Sequence, residues 1–129
     1  MAYDRQDVMQ LLKEHDVAFL RLQFTDILGR NKNVEVPASQ FEKALDGEIM
    51  FDGSSIQGFT RIEESDMLLR PDFDTFLLLP PAIEGNVPGQ VARFICEIDQ
   101  PDGTPFPGDP RQVLKRQIER LRAMGYDDL

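Results

Sequence analysis

Two hydrophobic periods alternate along the chain. After Asp4, apolar residues recur at helical spacing at Val8, Leu11 and Leu12, with His15 next along the same stretch. The Asp4 carboxylate can cap the free amides of a first turn, so a core-packing helix is predicted from there. From Val17 the period falls to two, with Ala18, Leu20, Leu22 and Phe24 on one side and Arg21, Gln23 and Thr25 on the other. That is the pattern of a half-buried strand. Asp26-Ile27-Leu28-Gly29 supplies a turn whose first side chain can hold backbone amides and whose last residue is permissive. Asn31 to Val36 returns as the partner, and its polar Asn31, Lys32 and Asn33 mark a strand at an edge or facing another subunit.

Ser39-Gln40-Phe41-Glu42 reads as a capping box before a short helix with Phe41, Ala44 and Leu45 as its apolar stripe. Asp46-Gly47 ends that helix, and Ile49-Met50-Phe51 reads as a strand delivering Asp52. From Gly53 to Asp74 no period is sustained. Structureless loops longer than about 12 to 15 residues are uncommon in compact domains unless they bind something, so this stretch is expected to be functional or interfacial. Its Ile56, Phe59, Ile62, Met67 and Leu68 need a surface to cover. Thr75 to Leu79 is a short apolar strand closed by Pro80-Pro81, and Ala82 to Gln90 a connecting loop. Gln90 to Ile98 alternates again, with Ala92, Phe94, Cys96 and Ile98 opposite Arg93 and Glu97. Asp102-Gly103 forms a turn. Asp109 and Pro110 open a last helix, with Gln112 completing a capping box, Leu114, Ile118 and Leu121 toward the core, and Gly125 as the stop. Capped helices on a mainly antiparallel set of short strands make an α+β domain.

Charge narrows the partners. A net charge of -9 repels nucleic acids and anionic membranes, and neither is expected as a partner. No apolar run approaches the about 20 residues a spanning helix needs, and the polar N-terminus does not read as a signal peptide. The single Cys96 allows no internal disulfide, which fits a reducing cytoplasm. The single His15 excludes a multi-histidine metal cluster, and no metal site is expected in these residues.

The candidate chemistry sits in Met50-Phe51-Asp52-Gly53-Ser54-Ser55, an apolar run that ends in an acidic, glycine-hinged, hydroxyl-rich turn. Taken alone, Asp-Gly-Ser is also an ordinary surface turn. Eight intervening residues separate Ser55 from Glu64-Ser65-Asp66, with Leu69 beyond it, and this spacing resembles the N-terminal signature of type I glutamine synthetase. Arg21-Leu22-Gln23-Phe24-Thr25-Asp26, Gly103-Thr104-Pro105-Phe106 and Asp109-Pro110-Arg111 match the same family in the same order. The residues around Arg61-Ile62-Glu63-Glu64-Ser65-Asp66 resemble its Gram-positive-like branch, whereas Pro81 stands where many relatives carry an aromatic.

The resemblance implies a β-grasp domain over residues 1–105 with an active-site loop at 50–70. Residues 106–129 would then be a capped helix and the start of a catalytic domain beyond Leu129. It implies ATP-dependent ligation of ammonia to L-glutamate through γ-glutamyl phosphate, with ATP and Mg2+ or Mn2+ bound mainly outside these residues. It also implies a cytoplasmic homo-oligomer of stacked hexameric rings, a dodecamer, in which these residues alone are inactive. By resemblance Asp52 is catalytic, Ser55 and Asp66 belong to the ammonium-side loop of the neighbouring subunit's site, and Arg61 takes part in feedback inhibition by glutamine. From local chemistry alone, Arg61 is equally a salt-bridge partner of Glu63 or Glu64. The alternatives are a stand-alone β-grasp module that docks a basic protein through its acidic loop without catalysis, and a purely structural spacer.

Overall fold

The computed structural model describes residues 3–53, 66–80 and 89–128. Helix α1 (Arg5–Glu14) starts at Asp4, which accepts from the Asp7 amide at 2.8 Å while the Asp7 carboxylate accepts from the Asp4 amide. This reciprocal cap satisfies amides that the first turn leaves free. A turn at Asp16 leads into β1 (Val17–Thr25), which pairs with β2 (Asn31–Pro37) as an antiparallel hairpin. Asp26 closes it by accepting from the amides of Leu28 and Arg30 at 3.0 and 2.8 Å.

Helix α2 (Phe41–Leu45) buries Phe41, Ala44 and Leu45, as the stripe predicts, but it has no capping box. A 3-10 turn at Ala38–Gln40 precedes it, and Gln40 occupies the cap position without a side-chain hydrogen bond. Ser39 lies inside that turn and cannot act as the extended residue an N-cap requires.

The remaining strands are β3 (Ile49–Asp52), β4 (Asp66–Leu78) and β5 (Gln90–Asp99). They complete a five-stranded sheet in the order β2-β1-β5-β4-β3, parallel between β1 and β5 and antiparallel elsewhere. The 13-residue β4 corrects the expectation of an irregular stretch for its last part, from Asp66 to Asp74; residues 54–65 lie outside the described residues. Leu68 on the face opposite Met67 and Leu69 blurs the alternation of β4, Pro71 argues against a strand, and the register shifts between Asp72 and Leu77, which hid the strand in the sequence pattern.

One sheet face carries the core. Leu20, Leu22, Phe24, Ala92, Phe94, Cys96, Ile98, Leu69 and Met67 pack with Val8 and Leu12 of α1 and with Phe41, Ala44 and Leu45 of α2. The last helix, α3 (Pro110–Ala123), lies against the opposite face through polar side chains. No α3 residue is buried, and Leu114 and Leu121 are 59% and 37% exposed, so the expected packing of its apolar stripe into the core is not what forms. The 3.6-residue period is present but its target is not the core of this domain. Asp109 caps α3 and Pro110 opens it, but Gln112 donates to Glu97 at 3.0 Å instead of completing a capping box. No helix among the described residues is long and apolar enough to cross a membrane.

Candidate functional site

Asp52 is the last residue of β3 and Asp66 the first of β4, and the two face each other directly in the antiparallel ladder. Alternation along β3 sends Ile49 and Phe51 toward the core and leaves Met50 and Asp52 exposed on the opposite face. The pairings Met50 with Leu68 and Asp52 with Asp66 put the second carboxylate on that same face. Side chains so opposed have Cβ atoms about 4.5–5.5 Å apart, and like charges there destabilise a ladder. Both carboxylates are exposed at the mouth of the β3–β4 connection, where together they form a doubly negative rim. A rim of two carboxylates suits a small cation or hydrogen-bond donors.

Two features hold Asp52 in place from behind. Ile49 is buried, and the Phe51 ring meets Phe24 with centroids 4.6 Å apart. The candidates Ser55 and Arg61, with the rest of residues 54–65, lie outside the described residues.

The structure adds a group that sequence reasoning missed. Glu97, buried on the α3 side of β5, forms ion pairs with Arg70 at 2.8 Å and with Lys115, and it accepts from Gln112. Arg70 also reaches Asp99 at 2.9 Å, while Arg111 reaches Asp72 at 2.7 Å. Thus β4, β5 and α3 are tied by alternating charges. The available signal was the position of Glu97 in the alternation of β5, on the face away from the core.

Burial pushes the Cys96 thiol well above its ordinary range and keeps it protonated, an inert core residue as its place in the strand predicts. Asp109 is also pushed up by burial, opposed by hydrogen bonds from the amides of Ile98 and Arg111. Among the described residues no three His, Cys, Asp or Glu side chains could hold a metal ion. The buried carboxylates Glu97 and Asp99, and Asp72 beside them, are already held by Arg70, Arg111 and Lys115. Committed in this way, these carboxylates do not offer a divalent ion a set of free ligands.

Comparison with known proteins bears on the family and the fold. The family described as glutamine synthetase, beta-Grasp domain, matches residues 16–101. The glutamine synthetase of Thermus thermophilus is 67% identical over 129 residues, which is 100% of this chain and 29% of that protein. The glutamine synthetase of Staphylococcus epidermidis is 56% identical over 127 residues, covering 98% of this chain and 28% of that protein. The chain thus spans less than a third of the length of these curated relatives. Among solved structures, the cryoEM Plasmodium falciparum glutamine synthetase superposes with a TM-score of 0.79 at 22% identity, over 97% of this chain and 24% of that one. A GmaS/ADP complex gives 0.78 at 24% identity, over 92% and 26%. Both share the fold. With the family matched across most of its length and the five-stranded sheet in place, the chain belongs to the glutamine synthetase β-grasp domain family.

Proposed function

We propose that this domain supplies the ammonium-side rim of a glutamine synthetase active site, with Asp52 as the catalytic carboxylate and Asp66 beside it. The observation that carries the reading is their direct opposition at the ends of β3 and β4. That the relatives are named glutamine synthetase supports reading this rim as part of an enzyme joining ammonia to glutamate.

Ammonium carries no free electron pair, so it must give up water and a proton before its nitrogen can attack. Two adjacent carboxylates replace lost hydration and favour a small cation over neutral water. Asp52 then accepts the proton: one N–H bond of ammonium breaks and its electron pair becomes the attacking pair. As the N–C bond forms at the γ-carbon of γ-glutamyl phosphate, the C–O bond to phosphate breaks, phosphate leaves with that electron pair, and the nitrogen gives up a second proton to become the amide. ATP and Mg2+ or Mn2+ would supply the activation of the γ-carboxylate from outside these residues. Ser55 belongs to the same loop, and Arg61 is assigned to feedback inhibition by glutamine. The domain alone is expected to be inactive, and the working form to be a homo-oligomer of stacked hexameric rings in the cytoplasm.

The test is Asp52→Asn in the whole protein. It keeps the shape of the side chain and removes the proton acceptor. Ammonia-dependent turnover should fall by about 100-fold or more, within the range general-base catalysis contributes, while assembly and glutamate affinity persist. Turnover within a few-fold of the parent would remove Asp52 from the mechanism.

A further inference from the structure

The ring contact between Phe24 and Phe51 joins two strands that are not neighbours. β5 and β4 lie between β1 and β3 in the sheet order. In a flat sheet, three strand spacings amount to about 14 Å. The two ring centroids are nevertheless 4.6 Å apart, with the ring planes inclined by 33°. Contact over that span requires the sheet to coil so that its outer strands approach over the inner ones. Phe24 is in step with the buried Leu20 and Leu22, and Phe51 with the buried Ile49. Both rings therefore lean across the core face, the one carrying Met67, Leu69, Cys96 and Ile98.

This contact matters most to β3. The strand has four residues and, among the described strands, a single neighbour, β4. A strand that short gains little from its ladder alone. Phe51 is bonded directly to Asp52, so the position of its ring constrains the Cα from which the carboxylate projects on the other face.

We propose that Phe24 is a positioning residue for Asp52: its ring clamps Phe51 and so fixes the end of the edge strand. The kinetic part of this inference rests on the proposed role of Asp52. Phe24 itself lies in the core and acts only through Phe51.

The experiment compares Phe24→Leu with Phe94→Leu in the whole protein. Phe94 is a fully buried phenylalanine on the same face, and its ring partners Phe73 and Phe76 lie on β4 well beyond the Asp66 end. Each substitution removes a core ring, but only the first releases β3. Since a misplacement of about 1 Å can cost about 100-fold, Phe24→Leu should lower kcat by about tenfold. It should raise KM for ammonium, leave KM for glutamate and nucleotide unchanged, and speed amide exchange in residues 49–52. Phe94→Leu, at a similar loss of thermal stability, should show neither the kinetic split nor the local exchange. Phe24→Met replaces it if Phe24→Leu folds poorly, because methionine refills the volume but does not restore a ring pair. Equal kinetic and exchange effects in the two variants would overturn the proposal, as would unchanged exchange at residues 49–52. Asp52→Asn measured alongside separates the two ideas. If it is fully active, the role of Asp52 fails, and exchange at residues 49–52 still decides the clamp.

Discussion

Asp109 shows how much one side chain can carry. It is 1% exposed, its Oδ1 accepts from the Arg111 amide at 3.1 Å, and its Oδ2 accepts from the Ile98 amide at 3.0 Å. One oxygen caps α3 and the other ties that cap to the end of β5. At an exposed cap asparagine is as good as aspartate. Here its amide nitrogen would face an N–H donor, leaving a buried group unsatisfied. Asp109→Asn should therefore cost about 1–3 kcal/mol in urea denaturation. The pH dependence has a definite sign. Burial raises the folded pKa of Asp109 above its ordinary 3.8, so the folded state binds the proton more tightly and its contribution grows as pH falls from the raised value toward 3.8. The stability advantage of the parent over Asp109→Asn should widen across that window. A constant difference would show that this ionisation is not linked to folding. Asp102 runs the other way: hydrogen bonds from the Thr104 hydroxyl and amide lower its pKa, so its contribution is present above 3.8 and lost as pH falls through the lowered value. The caps at Asp4, Asp26 and Asp109 were legible in the sequence because a cap joins residues two to four positions apart. The partners of Glu97 were not, because they come from β4 and α3 and meet only after the sheet forms.

At the scale of elements, the readable parts are those whose two faces differ. β1 and β5 alternate because one face meets α1 and α2, and the hydrophobic pattern predicts both. β4 was legible only from Thr75 onward, because Pro71 and the register shift break its period. The stripe of α3 was legible as a helix but misleading about burial, since amphipathicity reports that a face will be covered and not by what. What holds α3 here is the charge cluster around Glu97, which is 4% exposed. Replacing Glu97 with alanine would leave Arg70, Lys115 and Gln112 without that acceptor. Breaking a buried pair costs about 3–5 kcal/mol, and the cost here should lie near about 3 because both cations reach water. The loss should fall unevenly. Amide exchange in residues 110–123 should accelerate toward that of an undocked helix, while the β1–β5 ladder stays protected. Uniform acceleration across sheet and helix would instead make Glu97 part of the global fold.

At the scale of the whole molecule, the proposed chemistry needs more than this domain. The domain presents Asp52 and Asp66 on an exposed rim, yet among the described residues it has no place for a metal ion, and its buried carboxylates are committed to arginine and lysine. The signature spacing singled out Asp52 and Asp66 in the sequence, but which subunit would complete the proposed site is a property of the assembly. We expect the rim to serve a neighbouring subunit's catalytic domain, because an exposed rim at a sheet edge suits a contact made between closed-ring neighbours. The test mixes two inactive whole proteins, one carrying Asp52→Asn and the other inactivated in the catalytic domain. Each homo-oligomer should be nearly inactive. In mixed rings, an intact rim will meet an intact catalytic domain at a fraction of the interfaces, about one quarter for random equal mixing of closed rings. Turnover should recover toward that fraction of the parent value as subunits exchange. Recovery on that scale requires the two halves of a site to come from different chains. Mixed assemblies verified by mass spectrometry that stay inactive would confine Asp52 to its own subunit's site.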